Sequence, residues 1–252
     1  MISKIKHQIY WDFSGNNREM PEKWLKYSNI LRKNNKEYEY ILWDENSCLE
    51  LIKKNYSWFL DTYINYKYPI QKVDAIRPFI LYHYGGIYID MDFVCLKSIN
   101  KIFKQGNGVY IGKSSHFVLT NAFMASSKKH PFWKIVMKEM IKNKNRKIYQ
   151  THHMYIMQSA GPYIITKSYY KYLAQPLHLE GKIYILPTKL FNPCSVCNKT
   201  CNIKKDVYCY TEHDASWIKL DTKIFNFFYC YFNVILLLFV MGAVLISSKA
   251  KK

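Results

Sequence analysis

Two aspartates, Asp90 and Asp92, stand two residues apart in the run Ile87-Tyr88-Ile89-Asp90-Met91-Asp92-Phe93-Val94. Residues 87–94 read as a strand, in which successive side chains alternate faces. Ile87, Ile89, Met91 and Phe93 then share an apolar face, and Tyr88, Asp90 and Asp92 share the other. The carboxylates lie about 7 Å apart along such a backbone. Like charges that close raise each other's pKa unless a cation sits between them. Hard oxygen ligands suit Mg²⁺ or Mn²⁺, with water and a substrate phosphate completing the shell. Alone, an Asp-x-Asp is equally a solvated strand end. Here a helix over about 72–84, closed by Gly85-Gly86, feeds the strand directly. That helix carries Asp74 and Arg77 on one face, three residues apart. As a surface ion pair they would be worth little. Pro78 removes the helical hydrogen bond to the Asp74 carbonyl unless the helix begins after Asp74. In either case both residues lie near one helix end and can face a ligand held by the Asp pair.

The elements that must position these groups alternate. Residues 5–11 and 38–43 read as strands. Helices are expected over 21–32, from Pro21, and over 48–60, with a second start at Asn55. Further strands are expected at 87–94, 108–111, 121–125 and 183–186, and helices at 131–142 and 152–161. Strands alternating with helices predict an α/β fold with a mainly parallel sheet. No internal repeat and no Gly/Ser/Pro-rich linker divides the chain.

The order Asp74-x-x-Arg77, Tyr84-Gly85-Gly86-Ile87-Tyr88-x-Asp90-x-Asp92 resembles the sugar-nucleotide motif of glycosyltransferase family 32. Other blocks follow the family in order: Lys4-Ile5-Lys6-His7-Gln8-Ile9, Tyr38-Glu39-Tyr40-x-Leu42-Trp43-Asp44, Asn121-Ala122-Phe123-Met124-Ala125 with His130-Pro131-Phe132, Gly161-Pro162 with Ile165-Thr166, and His213-x-x-Ser216-Trp217. The resemblance covers residues 2–217. It implies a GT-A type nucleotide-sugar fold and a metal-dependent, retaining hexose transfer from a UDP- or GDP-sugar to a glycan or lipid acceptor. It further implies Mn²⁺ or Mg²⁺ on Asp90, Asp92 and His213, and donor contacts from Asp74, Arg77, Tyr88, Asp90, Ser216 and Trp217. An aromatic after His-Gln-Ile is expected against the base, and both Tyr10 and Trp11 are available. The divalent ion and Arg77 suit a leaving diphosphate whose negative charge grows. His152-His153 is not taken as a metal pair, because adjacent helical residues do not face one another.

The rest of the chain bounds these readings. It has 252 residues, 37 Lys plus Arg against 18 Asp plus Glu, and a formal charge of +19. With 49% hydrophobic residues it is no disordered chain. The Lys, Asn, Tyr and Ile excess is diffuse, so a nucleic-acid surface is the minor reading. Residues 224–248 carry no Asp, Glu, Lys, Arg or His. A run of that length spans a bilayer core as a helix. The expected organisation is a catalytic domain over 1–218 and a C-terminal anchor with basic tail over 219–252. That places the enzyme on an ER/Golgi-type endomembrane. No signal peptide is evident, which suits a tail anchor with a cytosolic enzyme; the terminal Lys249, Lys251 and Lys252 suit the opposite side. Cys48, Cys95 and Cys230 read as core or membrane residues. Cys194, Cys197, Cys201 and Cys209 are left open between zinc, two disulfides and free thiols. Two competing functions are a metal-dependent phosphodiesterase or nuclease built on Asp90 and Asp92, and a relative that binds sugar nucleotide without turnover.

Overall fold

The computed structural model describes residues 2–16, 18–103, 105–113, 118–175, 181–197, 201, 203–214 and 218–250, with the side chains of 239 and 242–250 set aside. Its centre is a six-stranded sheet in the order β2-β1-β3-β6-β5-β7. The strands are β1 (Ile5–Ile9), β2 (Glu39–Trp43), β3 (Gly86–Ile89), β5 (Val109–Lys113), β6 (Leu119–Ser126) and β7 (Ile183–Ile185). β1 pairs in parallel with β2 and β3, and β5 with β7, whereas β6 runs antiparallel to both β3 and β5. The sheet is therefore mixed and mostly parallel, as the alternation of elements predicts.

The helices are α1 (Glu22–Asn34), α2 (Glu45–Asn55), α3 (Ser57–Ile64), α4 (Pro69–Tyr84), α5 (Phe132–Lys142), α6 (His152–Ser159), α7 (Pro162–Leu173), α8 (Thr188–Phe191) and α9 (Leu220–Ala250). α2 starts where the Asp44 carboxylate accepts from the Ser47 backbone N–H at 2.7 Å, satisfying an otherwise orphaned helix donor. α2 and α3 form a broken pair, as the expected second start near Asn55 suggests. α4 begins earlier than expected, with Pro69 in its first turn, where the missing N–H is harmless. Pro78 lies inside it. α4 is buried on all sides from Val73 to Leu81, and Phe79, Ile80, Phe59, Trp133 and Val136 are solvent-free members of the same core cluster. Packing of this kind outweighs the hydrogen bond that proline removes.

At the end of α4 the chain turns through Gly85 and Gly86, at φ +68° and +89°. A Cβ on Gly86 would lie 2.4 Å from the Ile5 carbonyl oxygen. Only glycine lets β3 lie that close to β1 in this conformation.

The single strand expected over 87–94 is not formed. β3 stops at Ile89, a turn occupies Asp90–Asp92, and β4 (Phe93–Cys95) pairs antiparallel with β8 (Cys209–Thr211) in a separate two-stranded sheet. The turn is closed by the Phe93 N–H donating to the Asp90 carbonyl at 3.2 Å. The alternation argument fails at the point where the chain leaves one sheet for another.

Three disulfides join the cysteines: Cys95–Cys209, Cys194–Cys201 and Cys197–Cys230. Cys48 is buried and free. Cys95 and Cys230 are therefore not isolated core or membrane residues. They pair with members of the cluster, which neither binds zinc nor pairs wholly within itself. Among the described residues no helix is long and apolar enough to cross a membrane; in α9 those side chains extend only to Met241.

Candidate active site

A cavity of about 330 Å³ opens at the ends of β1 and β3, where α4, α6, α9 and the segment after β8 converge. Tyr10, Trp11, Asp74, Arg77, Tyr88, Asp90, Asp92 and His213 all line it. Ser216 and Trp217 lie outside the described residues.

Arg77 is the centre of the charged wall. Its Nη1 lies 3.1 Å from Asp74 Oδ1 and its Nη2 3.0 Å from Asp90 Oδ1. Nη1 also donates to the Asn121 carbonyl at 3.1 Å. The guanidinium sits 4.8 Å from the Tyr88 ring centre, an attractive placement for a cation over a π face. Tyr88 in turn donates its hydroxyl to Asp90 Oδ1 at 2.6 Å. Asn121 donates its side-chain N–H to Asp74 Oδ1 at 2.9 Å. One rigid fork thus holds two carboxylates, and both the fork and Asp74 are nearly solvent-free. Arg77 Nε is buried without a partner among the described residues, so the fork has a donor to spare.

Asp92 is built differently. Its Oδ2 accepts from Thr211 Oγ1 at 2.8 Å and from the Asp214 backbone N–H at 3.2 Å. Both donors come from the end of β8, which the Cys95–Cys209 bridge fastens beside β4. His213 has φ +55° and points Nε2 at the Cys194 carbonyl, 2.9 Å away. It lines the cavity with Asp90 and Asp92. Among the described residues, however, no three His, Cys, Asp or Glu gather into a group that could hold a metal ion.

The electrostatics follow from burial. Desolvation, then the neighbouring Asp90, pushes the Asp92 carboxyl up to about 7. Desolvation raises Asp74 to about 6 against the pull of Arg77. Asp90 is also raised by burial, with Arg77 and the Tyr88 hydroxyl opposing. Carboxylates held together in low dielectric are what a divalent cation relieves, so hard oxygen donors at Asp90 and Asp92 fit such an ion.

The opposite wall is aromatic. Tyr10 donates its hydroxyl to the carbonyls of Arg18 and Glu19, at 2.8 and 2.9 Å, which ties down the loop after β1. Its ring packs edge-on to Trp24, and Trp11 packs edge-on to Phe13. All four rings line the cavity. Trp24 Nε1 donates to Asp214 at 3.3 Å, and Lys23 lies 2.8 Å from the same carboxylate. Phe13, Trp24, Asn121, Thr211 and Asp214 are not singled out by sequence reasoning. Asn121 and Asp214 adjoin or belong to blocks that are, but their partners are 47 and 122 residues away.

Similarity to known proteins agrees with this geometry. Residues 21–108 match the glycosyltransferase sugar-binding region containing the DXD motif. Mannosyl phosphorylinositol ceramide synthase SUR1 of Saccharomyces cerevisiae is 35% identical over 74% of this chain and 46% of its own. Inositol phosphoceramide mannosyltransferase 1 of Schizosaccharomyces pombe is 29% identical over 89% of this chain and 65% of its own. The chain thus spans about half to two-thirds of the length of these relatives. The ligand-free glycosyltransferase domain of the YGT toxin superposes with a TM-score of 0.56, covering 74% of this chain and 80% of its own at 9% identity, which is a likeness of fold. The DXD turn, the Arg77 fork and the motif order agree with this similarity, and residues 21–108 carry the glycosyltransferase sugar-binding region containing the DXD motif.

Proposed function

We propose that this protein transfers a hexose from a nucleotide diphosphate sugar to a hydroxyl of a glycan or lipid-linked acceptor, with retention and with a divalent metal. The observation that carries the reading is the juxtaposition, in one cavity, of the Arg77–Asp74–Asp90 network with Asp92 and a wall of aromatic rings.

In this reading Tyr10 and Trp11 offer ring faces to the base. Asp74 and Asp90, fixed by Arg77, accept hydrogen bonds from sugar hydroxyls. Asp90 and Asp92 would hold Mn²⁺ or Mg²⁺, and a bound ion supplies Lewis-acid stabilisation of the leaving diphosphate. Arg77 offers its fixed charge to the same developing negative charge. His213, held by the Cys194 carbonyl, stands at the diphosphate side. The bond from the anomeric carbon to the diphosphate oxygen breaks and one to the acceptor oxygen forms. The acceptor proton passes to the departing diphosphate. The similarity to glycosyltransferases with the DXD motif favours this over polymer phosphodiester cleavage.

The apolar run 224–248 is read as a membrane anchor. Three disulfides suit an oxidising compartment, which supports a lumenal catalytic domain on an endomembrane.

The test is a screen of UDP-glucose, UDP-galactose, UDP-N-acetylglucosamine and GDP-mannose with the purified full chain. One donor should be turned over only with Mn²⁺ or Mg²⁺, and Asp92→Asn should abolish turnover. Failure to bind any of the four in the presence of Mn²⁺ refutes the reading.

A further inference from the structure

The cavity extends beyond the residues assigned above to the donor. On α4, Arg77, Asp74 or Val73, and Ile70 succeed one another at helical spacing, and all line the cavity. This face leads from the Asp pair back to the start of the helix. There α6 and α9 close the wall. The His153 backbone N–H donates to Asp221 Oδ2 at 2.6 Å, and the His153 ring stacks on Phe225 at 4.7 Å. Tyr68, just before α4, has Lys219 Nζ 5.5 Å from its ring centre and His152 at 4.4 Å, so α9 enters beside the first turn of α4.

Two side chains in this cavity are buried and unsatisfied. Thr222 is 2% exposed and Asn192 is 8% exposed. Thr222 Oγ1 and Asn192 Oδ1 have no hydrogen-bond partner among the described residues, yet both residues line the cavity. Buried polar atoms are nearly always paired, so two orphans lining one cavity are open to a ligand's hydrogen bonds. Asn226 lines it as well and lies four residues beyond Thr222, on the same helix face. Four residues further on that face is Cys230, bonded to Cys197. Val196, its neighbour, also lines the cavity. The disulfide therefore presses this particular face of α9 against the domain.

Hydroxyl and amide groups both donate and accept hydrogen bonds and carry no charge. With no cation among the three, they match the hydroxyls of a sugar or cyclitol better than a phosphate. The same helix continues into exposed apolar side chains, among them Phe228, Tyr231, Phe232 and Leu236. We infer that Thr222, Asn226 and Asn192 form the acceptor subsite, and that its ligand is the hydroxyl-bearing polyol head of a lipid, presented along α9 where the helix meets the bilayer. The inference rests on the transferase reading above and adds the residues that choose the acceptor.

The experiment uses the full chain in nanodiscs, with inositol phosphoceramide or soluble myo-inositol as acceptor probe and GDP-mannose and UDP-glucose as donors. Donor affinity is read by calorimetry with Mn²⁺ and acceptor KM by product formation. Thr222→Val and Asn226→Leu should each raise the lipid acceptor KM about tenfold, while donor Kd stays within twofold. Thr222→Ser should restore the acceptor KM, and myo-inositol should be a much poorer acceptor than the lipid. An unchanged acceptor KM in both variants overturns the inference, as does a parallel rise in donor Kd. Donor binding by the wild type without saturable transfer to the lipid also overturns it, leaving the transferase reading intact. Absence of binding to either donor and to the wider donor screen would fell the transferase reading itself.

Discussion

The two ends of the cavity are held by different physics. At the proposed donor end, a buried guanidinium on α4 holds two carboxylates and the Asn121 carbonyl and lies over the Tyr88 ring. Its strength is electrostatic and local to a rigid core. At the α9 end Thr222, Asn226 and Asn192 are neutral, two of them without hydrogen-bond partners among the described residues, and their placement depends on the Cys197–Cys230 bond and contacts with α6. Under the proposed function, the part that meets the invariant diphosphate can be fixed into the core. A wall that selects among acceptors can ride on a peripheral helix, where its residues change without disturbing the charge network.

Breaking the donor end should have the largest effect. Arg77→Met leaves Asp74 and Asp90 buried without their cation, a loss of about 3–5 kcal/mol. Transfer should fall below detection, with the urea midpoint lowered in step. If Arg77→Met kept more than a tenth of wild-type activity, the donor end would not depend on this fork.

The two interdomain-like clamps separate the ends directly. Cys95→Ser with Cys209→Ser opens a loop of sequence separation 114, against 33 for Cys197→Ser with Cys230→Ser. Chain entropy assigns losses of about 5 and about 4 kcal/mol, respectively. The informative difference lies in binding. Loss of the first bond should weaken donor affinity through Thr211 and Asp214, whereas loss of the second should spare donor Kd and raise acceptor KM. Calorimetry of the two double variants checks this, and equal effects on both ligands would erase the distinction.

Gly86→Ala probes the frame beneath the donor end. The added methyl meets the Ile5 carbonyl in a backbone conformation that side chains disfavour. The expected destabilisation is about 3 kcal/mol, read as a lower melting temperature. A Gly86→Ala protein as stable as the wild type would show that β1 and β3 can part.

The smallest effect concerns pH. Burial lowers the His7 pKa to about 4, with its bond to the Gly85 carbonyl opposing. Its Nε2 donates to Gly85 at 3.0 Å and its Nδ1 accepts from Trp43 Nε1 at 3.2 Å, so the ring is neutral in the fold. A folded pKa below the unfolded one, near 6.5, gives stability that is complete above pH 6.5 and declines as pH falls toward about 4. The decline amounts to at most about 3 kcal/mol. His7→Gln should flatten the urea midpoint against pH across that window. An unchanged slope would mean that His7 does not carry the effect.

Local patterns were legible without a structure wherever one element carried the information. Asp74 and Arg77 on one helix and the Asp pair that follows all line the cavity, and Gly85-Gly86 ends that helix between them. The expected strand over 87–94 failed because alternation describes a strand only while it stays in one sheet, and the chain changes sheets at Asp90. Cys95 and Cys230 depart from the expected core or membrane role for a related reason. Cys95 and Cys209 face each other only because β4 pairs with β8, and Cys197 meets Cys230 only because α9 folds back onto the domain.

From the sequence alone come the resemblance to DXD glycosyltransferases, the alternation of elements and the charged residues that line the cavity, because motif spacing and periodicity are properties of neighbours along the chain. Tertiary structure alone decided that one guanidinium bridges Asp74 and Asp90, that Asp92 answers to Thr211, that the cysteines form three bridges, and that α9 walls the cavity. Each of these is a contact between residues whose separation along the chain carries no trace of their separation in space. Burial and hydrogen-bond satisfaction select such contacts only when the whole core closes.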